Sequence, residues 1–167
     1  MITATARVAP SAARELVITR VIDAPRQHVF KAWTDPARAK HWMGPRGFTA
    51  THVEGDVRPG GAWRICLRRD ETGEELWQGG VYREVAQPER LVFTFAWNDK
   101  HGWRGHETLV TITFVEHQGK TTMTFRQAIF DSVEQRDGHY GGWTSTFERL
   151  DEHVGKRDGI SSGGSKK

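Results

Sequence analysis

The stretch TLVTITFVEHQGKTTMTFRQAIF (residues 108–130) alternates between apolar and polar side chains on both sides of Gln118-Gly119. A period of two is the period of a β-strand, and a glycine between two such runs is typical of a hairpin turn. On each arm the large apolar residues share one face and the threonines share the other. The stretch therefore predicts an antiparallel hairpin with one covered face and one hydrated face.

The same alternation extends towards the amino terminus. Hairpin signals separate the apolar runs at Pro59-Gly60-Gly61, at residues 70–73 and at residues 87–89. Trp63, Ile65 and Leu67 fall on one face of their strand. Phe93, Phe95 and Trp97 do the same on theirs. Strands are predicted over 15–22, 47–57, 61–69, 74–86, 90–97, 107–116 and 120–130.

Two short helices are predicted between the first strand and the second. Pro25 suits a first helical position, with Asp23 or Ala24 as the cap. Asp35 and Pro36 repeat this pattern at the start of the second helix. Gly44-Pro45 then ends it.

A long C-terminal helix is predicted to cover the apolar face of the sheet. Asp131 or Ser132 begins it, with Glu134 or Gln135 completing a capping box. The apolar residues that follow recur every three or four positions, which is a helical stripe; they are Trp143, Phe147, Leu150 and Val154. The predicted fold is α+β, with a curved antiparallel meander wrapped around the C-terminal helix.

Composition narrows the class of protein. The chain has 167 residues, enough for one domain, and its net charge of +3 is scattered among carboxylates rather than gathered in a basic stripe. Nucleic acid is therefore not expected as a partner. Cys66 is the single cysteine, so an intrachain disulfide is excluded. No apolar run approaches the roughly 18 residues of a membrane span, and a cytoplasmic protein without a membrane partner is expected.

Both ends of the chain differ in composition from its middle. Residues 1–14 are small, polar or alanine-rich, and residues 155–167 are rich in glycine, serine and lysine. Such segments bury too little apolar surface to become ordered. We therefore predict disorder at both ends and one domain over residues 15–154.

The segment DVRPGGAW (56–63) has the residue types of an anion-binding loop. A phosphate loop normally leads into a helix N-terminus, whereas these glycines lead into the strand-like run AWRICLRR. Pro59 also removes one backbone donor. The interpretation we favour is a hairpin turn, with Asp56 and Arg58 paired on one side of the strand end.

The candidate binding residues are large side chains predicted to surround a space under the C-terminal helix. Gly138, Gly141 and Gly142 near the start of that helix leave room above the sheet. Side chains, water or a ligand must fill this room, because a large dry void would cost about as much as the whole stability of a domain. The sheet is predicted to contribute Trp63, Trp77, Phe95, Trp97, Met123 and Phe125, one end of the space Trp42, Met43 and Phe48, and the helix Trp143.

Few polar residues are candidates for contact with a ligand or for catalysis. Gln127 is predicted to point inward among apolar neighbours, and Tyr140 is the second polar candidate. His139 and Tyr140 are also the candidate acid–base pair, although catalysis is not expected.

The loop WNDKHGWRGHE (97–107) has residue types that could bind a metal. Its possible ligands are Asp99, His101, His106 and Glu107. Histidines beside tryptophans in a loop are more often exposed contacts than ligands. We therefore expect neither a metal nor a cofactor.

Six segments, in order along the chain, resemble the heat-shock-protein-90 ATPase activator homologue family of the SRPBCC superfamily, also called START-like or Bet v 1-like. They are APRQHVFKAWTDP (24–36), WMGPRGF (42–48), DVRPGGAW (56–63), GVYREVAQPERLVFTF (80–95), TLVTITF (108–114) and GGWTSTFERL (141–150). The resemblance implies a helix-grip fold that encloses a cavity.

The resemblance also implies a range of functions. It favours binding of a small apolar or aromatic molecule. Separately, we expect the protein to be a monomer or a homodimer. The alternatives are a cyclase- or dehydratase-type enzyme, as in some SRPBCC relatives, and a stress protein that associates with a chaperone.

Overall fold

The computed structural model describes residues 11–99, 101 and 103–164, with side chains described as far as residue 155. A 3-10 turn at Ser11–Arg14 precedes ten further elements. In chain order these are β1 (Leu16–Ile22), α1 (Arg26–Thr34), α2 (Pro36–Ala39), β2 (Phe48–Gly55), β3 (Ala62–Arg69), β4 (Glu75–Ala86), β5 (Arg90–Asn98), β6 (Thr108–His117), β7 (Lys120–Ala128) and α3 (Val133–Gly164).

The seven strands form one curved antiparallel sheet in the order β1-β7-β6-β5-β4-β3-β2. The hairpin predicted over residues 108–130 is confirmed: His117 pairs with Lys120 across Gln118-Gly119. β1 adds to the far side of β7, so β1 and β2 form the two edges of the sheet. The predicted α+β class, with a curved meander and a long C-terminal helix, is confirmed.

Capping residues explain where the helices begin. The Asp35 side chain accepts a hydrogen bond from the Ala37 amide at 3.1 Å, as its predicted capping role requires. Ser132 Oγ likewise accepts from the Gln135 amide at 3.0 Å, so Ser132 caps α3.

α1 differs from the prediction by one residue. Pro25 is itself the N-cap, with φ −62° and ψ 149°, and it makes no side-chain capping bond. The first amide of the helix, at Arg26, donates instead to Glu116 Oε1 of β6 at 3.0 Å. A carboxylate from a distant strand thus replaces the expected cap at Asp23 or Ala24.

The hydrophobic core lies between the concave face of the sheet and α3. The predicted stripe on α3 is buried there, with Phe147 and Leu150 fully inaccessible to solvent. The Phe147 ring lies 5.2 Å from the ring of Phe125 on β7 and 6.0 Å from that of Trp33 on α1. Aromatic packing of this kind holds α1, α3 and the sheet together.

The ends of the domain differ from the predicted boundaries. The 3-10 turn at Ser11–Arg14 falls in the segment predicted to be disordered, and Arg14 and Phe130 exchange backbone and side-chain hydrogen bonds. At the other end α3 continues past Val154 to Gly164. Residues 1–10 and 165–167, also predicted to be disordered, lie outside the described residues.

The DVRPGGAW segment forms the predicted turn between β2 and β3. Arg58 Nε donates to Asp56 Oδ2 at 2.8 Å, which is the predicted pair. Gly60 has a φ of +87°, and a Cβ added to Gly61 would lie only 1.9 Å from the Asp56 carbonyl oxygen. Both glycines are therefore required by the tight path of the backbone.

Candidate functional site

A cavity of about 310 Å³ lies between the sheet and the amino-terminal half of α3. Three parts of the chain line it. The sheet contributes Phe48, Leu67, Leu76, Gln78, Phe95 and Trp97; the α2–β2 connection contributes Met43, Gly44 and Pro45; and α3 contributes Glu134, Gln135, Gly138, His139, Gly142, Trp143 and Thr146.

The cavity opens to solvent beside the first turns of α3, where Glu134, Gln135 and Gly138 are exposed. The opposite side of the mouth is the α2–β2 connection. Arg149 of α3 holds this connection in place through hydrogen bonds from Nη1 to the carbonyl oxygens of Gly44 (2.8 Å) and Phe48 (3.1 Å). Both sides of the mouth therefore depend on α3, one directly and the other through Arg149.

The glycines of α3 create part of the space. A Cβ added at Gly138 or Gly142 would meet no atom within 4 Å among its surroundings, and both residues line the cavity. Gly141 has the same free space but lies on the exposed side of the helix and does not line the cavity. The prediction that these glycines leave room above the sheet thus holds for two of the three positions.

A second, smaller hollow of about 30 Å³ lies deeper in the core, and we call it the inner hollow. Four residues line both spaces: Met43, Gln78, Phe95 and Trp143. The inner hollow is otherwise bounded by Trp33, Trp63, Ile65, Tyr82, Leu91 and Phe93. The two spaces are therefore separated only by shared side chains.

Gln78 is the polar residue of the site that the sequence analysis missed. It is 3% exposed and lines both the cavity and the inner hollow. Within the described part of the chain, its side-chain amide has no hydrogen-bond partner. A buried amide normally has partners, so this group is available to water or to a ligand.

Trp77 lies on the outer face of the sheet, which corrects the prediction that it faces the helix. It pairs in register with Cys66, whereas the inward-facing Ile65 pairs with Gln78. The guanidinium carbon of Arg64 lies 4.0 Å from the centre of the Trp77 ring, and His52 lies 5.5 Å from it. A cation–π contact stabilises the indole there, without any contact with the cavity.

Gln127 is buried, as predicted, but it is already paired. Its Nε2 donates to Thr108 Oγ1 at 2.9 Å, and its Oε1 accepts from Trp143 Nε1 at 2.8 Å. It lines neither the cavity nor the inner hollow. Its role in this structure is to orient the Trp143 indole that forms the cavity wall.

His139 lines the cavity, but both of its ring nitrogens are engaged. Nδ1 lies 2.8 Å from the Gln135 carbonyl oxygen and must donate to it, which leaves Nε2 to accept from Trp97 Nε1 at 2.8 Å. Burial lowers the pKa of His139 below its usual value, so the ring is neutral at pH 7. A neutral ring with both nitrogens occupied is poorly suited to proton transfer.

Tyr140 does not complete an acid–base pair with His139. Its side chain is 43% exposed, and the guanidinium carbon of Arg136 lies 5.4 Å from its ring centre. It does not line the cavity, which corrects its prediction as a ligand contact. The side chain projects from the flank of α3 rather than from the face that carries Trp143.

The other predicted site residues divide between the cavity and the core. Met43, Phe48, Phe95, Trp97 and Trp143 line the cavity, and Trp63 lines the inner hollow.

The remaining three are core residues. Trp42 Nε1 donates to the Ala32 carbonyl oxygen at 3.1 Å, and Met123 Sδ accepts from Trp33 Nε1 at 3.4 Å. The Phe125 ring lies 4.6 Å from that of Trp143. None of the three lines either space, so all three pack in the core behind the residues that form the cavity wall.

The walls carry little charge. With His139 neutral, Glu134 at the mouth is the one charged side chain among the described residues that line the cavity. No arginine or lysine of the described chain lines it. An anionic ligand would therefore meet a carboxylate at the entrance and no counter-ion inside.

The loop considered as a metal site is organised by hydrogen bonds instead. Asp99 Oδ1 accepts from the amides of His101 and Trp103 at 2.8 and 2.9 Å, and Arg104 pairs with Glu107. His106 Nε2 lies 2.6 Å from the Ile129 carbonyl oxygen. Among the side chains described, at residues 11–99, 101 and 103–155, no three histidine, cysteine, aspartate or glutamate groups are placed to hold a metal ion.

No helix within the described residues has both the length and the apolar character needed to cross a membrane.

Comparisons with known proteins agree on the architecture. The family model described as "Activator of Hsp90 ATPase homolog 1-like protein" matches residues 23–155. A crystal structure of a Chromobacterium violaceum protein is 26% identical and has a TM-score of 0.77, covering 84% of this chain and 96% of that one.

Two further structures show the same fold. The AHSA1 protein of Silicibacter pomeroyi is 24% identical with a TM-score of 0.77, over 86% of this chain and 99% of that one. An Arthrobacter aurescens protein solved by solution NMR is 22% identical with a TM-score of 0.79, over 89% of this chain and 90% of that one. No curated protein matches the chain.

Proposed function

The chain belongs to the Activator of Hsp90 ATPase homolog 1-like family, and we propose that it binds a small, largely apolar molecule between the sheet and α3. The observation that carries this proposal is a cavity of about 310 Å³ whose wall is mostly aromatic and aliphatic. This volume is at the lower end of the range for small-molecule pockets, which is roughly 300–1,000 Å³. A ligand of one or two fused rings is therefore the best fit.

The composition of the wall supplies the driving force. Phe95, Trp97 and Trp143 present aromatic surface to a space that is open to water at its mouth. Water in contact with such surface makes few hydrogen bonds with it. Replacing that water with an apolar molecule contributes about 25 cal/mol for each Å² of apolar surface removed from solvent.

Binding of naphthalene, measured by equilibrium dialysis, tests the proposal. Gly142→Leu would place a side chain in the cavity, whereas Gly141→Leu makes the same change on the exposed side of the same helix. We expect naphthalene to bind to the wild type and to Gly141→Leu. We expect Gly142→Leu to weaken binding at least about tenfold, because the new side chain occupies the ligand's space.

Two results would contradict the proposal. The first is the absence of naphthalene binding to the wild-type protein at concentrations up to its solubility limit. The second is equal binding by both leucine variants, with circular dichroism confirming that each is folded, because the ligand would then lie outside the cavity.

The family description supports a second candidate function, which is stimulation of a chaperone ATPase. The test is the rate of ATP hydrolysis by purified Hsp90 with and without saturating amounts of this protein. Stimulation that is retained by Gly142→Leu would assign this activity to a surface other than the cavity. An unchanged rate would reject the candidate.

A further inference from the structure

The indole N–H groups around the inner hollow are all engaged within the protein. Three tryptophan indoles line it, and each N–H donates to a protein acceptor. Trp33 donates to Met123 Sδ at 3.4 Å, Trp63 to the Thr94 carbonyl oxygen at 3.0 Å, and Trp143 to Gln127 Oε1 at 2.8 Å. None of these donors is free for a ligand.

Two other residues that line the inner hollow carry polar groups without such a hydrogen bond. They are the Gln78 amide, in a residue that is 3% exposed, and the Tyr82 hydroxyl, in a residue that is 7% exposed. Neither side chain hydrogen-bonds another residue in the part of the chain that the structure describes. Burial raises the pKa of Tyr82 to about 12, so its hydroxyl is a neutral donor and acceptor at pH 7.

The inner hollow has the size of a small polar group. Its volume of about 30 Å³ is similar to the space that one water molecule takes in the liquid. Gln78 also lines the larger cavity, so its amide lies at the boundary between the two spaces. A molecule in the cavity would meet this amide at its inner end.

We propose that Gln78 and Tyr82 form a polar subsite that accepts one uncharged hydroxyl or carbonyl group of an otherwise apolar ligand. This inference rests on the proposed function, because it concerns the same cavity. Gln78 supplies both an amide N–H donor and a carbonyl acceptor, so it matches either group. Tyr82 also lines the inner hollow, and its hydroxyl is available to a water molecule that links the ligand's oxygen to the protein.

The subsite selects against charge. The residues that line the inner hollow are all neutral, so a carboxylate there would have no counter-ion. An unpaired buried charge is far more costly than an unpaired neutral group. Glu134 at the mouth adds repulsion for an anion before it enters. A neutral phenol or aryl ketone is therefore the favoured ligand class, and an aryl carboxylate is disfavoured.

The experiment compares three probes of one shape: naphthalene, 2-naphthol and 2-naphthoate at pH 7. Dissociation constants are measured by equilibrium dialysis for the wild type, Gln78→Leu and Tyr82→Phe. Gln27→Leu is the matched control, because it makes the same change in an exposed glutamine of α1 that lines neither the cavity nor the inner hollow. Tyr82→Phe removes a single oxygen atom, so it tests the subsite with little risk to folding.

We expect the wild type and Gln27→Leu to bind 2-naphthol about three- to tenfold more tightly than naphthalene, as one net hydrogen bond provides. Gln78→Leu should reduce the ratio of the naphthalene dissociation constant to the 2-naphthol dissociation constant to about one. It should change naphthalene binding by less than about twofold. Tyr82→Phe should also lower the ratio. 2-Naphthoate should bind at least about tenfold more weakly than 2-naphthol.

The outcomes separate the two proposals. If naphthalene and 2-naphthol bind the wild type equally, or if Gln78→Leu and Tyr82→Phe leave the ratio unchanged, the subsite is wrong and the cavity remains a binding site. Binding of 2-naphthoate as tight as that of 2-naphthol would also overturn the subsite. If no probe binds to the wild type, both proposals fail.

Discussion

Gln78 and Gln127 are both buried glutamines on the concave side of the sheet, but their surroundings differ. Gln127 is held by Thr108 and Trp143, whereas Gln78 lies on the boundary between the cavity and the inner hollow and has no partner among the described side chains. A paired amide stabilises a fold, and an unpaired one is costly to bury. The two residues therefore have opposite roles, one structural and one available to a ligand.

This difference predicts opposite effects of the same substitution on stability. Gln127→Leu leaves the Trp143 N–H without its acceptor and should lower the free energy of unfolding by about 1–3 kcal/mol. Gln78→Leu removes an amide that has no partner and should leave the ligand-free protein equally or more stable. Urea unfolding at pH 7 measures both. Equal losses in the two variants would mean that Gln78 is paired in the folded protein.

His139 predicts a dependence of stability on pH. Burial lowers its pKa in the folded state, although the Gln135 carbonyl and Asp131 act in the opposite direction. Above the pKa of about 6.5 that the histidine has in the unfolded chain, the ring is neutral in both states. Its titration therefore does not lower the free energy of unfolding in that pH range. As the pH falls below that value, the unfolded chain takes up a proton more readily than the folded protein, and stability is lost.

We therefore expect the free energy of unfolding to fall more steeply between pH 7 and pH 5 in the wild type than in His139→Gln. The glutamine does not titrate, and its carbonyl oxygen can replace Nε2 as the acceptor for Trp97. An NMR titration of the His139 ring with a midpoint at or above 6.5 would contradict the assignment.

At the scale of the element, β4 shows where sequence reasoning failed. Its alternation was read correctly as a strand, but the assignment of its two faces followed the largest apolar residue, Trp77. In the structure Gln78 and Tyr82 face inward, and Trp77 packs outside against Arg64. Periodicity establishes which residues share a face, but which of the two faces packs against α3 depends on contacts beyond the strand itself.

The stripe on α3 was predicted more accurately than its polar neighbours. Trp143, Phe147, Leu150 and Val154 are buried because one apolar side of a helix must be covered. Tyr140 precedes this stripe but lies at its edge, so its direction depended on packing that the sequence does not reveal. The same applies to Gln127, whose partners come from β6 and α3.

The turn between β2 and β3 predicts a further effect of mutation. Gly61→Ala should destabilise the fold more than Gly60→Ala, because its Cβ would collide with the Asp56 carbonyl oxygen. At Gly60 the cost should be only about 1–2 kcal/mol, since the added atom meets free space and only the positive φ is strained. Thermal unfolding of both variants tests this order, and the reverse order would contradict the turn geometry.

At the scale of the whole molecule, the order of elements was readable from periodicity, turn residues and helix caps. The cavity was anticipated from the α3 glycines and from the family resemblance, and five of the predicted aromatic or methionine residues line it. The polar subsite was not anticipated. Whether a buried amide is paired depends on its three-dimensional neighbours, which alternation along one strand cannot specify.

The most direct test of the central claim is a measurement of intermolecular nuclear Overhauser effects between 2-naphthol and the wild-type protein in solution. The account predicts contacts from the naphthol ring to Leu67, Gly142 and the indole of Trp143, all of which line the cavity. Contacts confined to exposed side chains such as Trp103, which is 74% exposed, would contradict it.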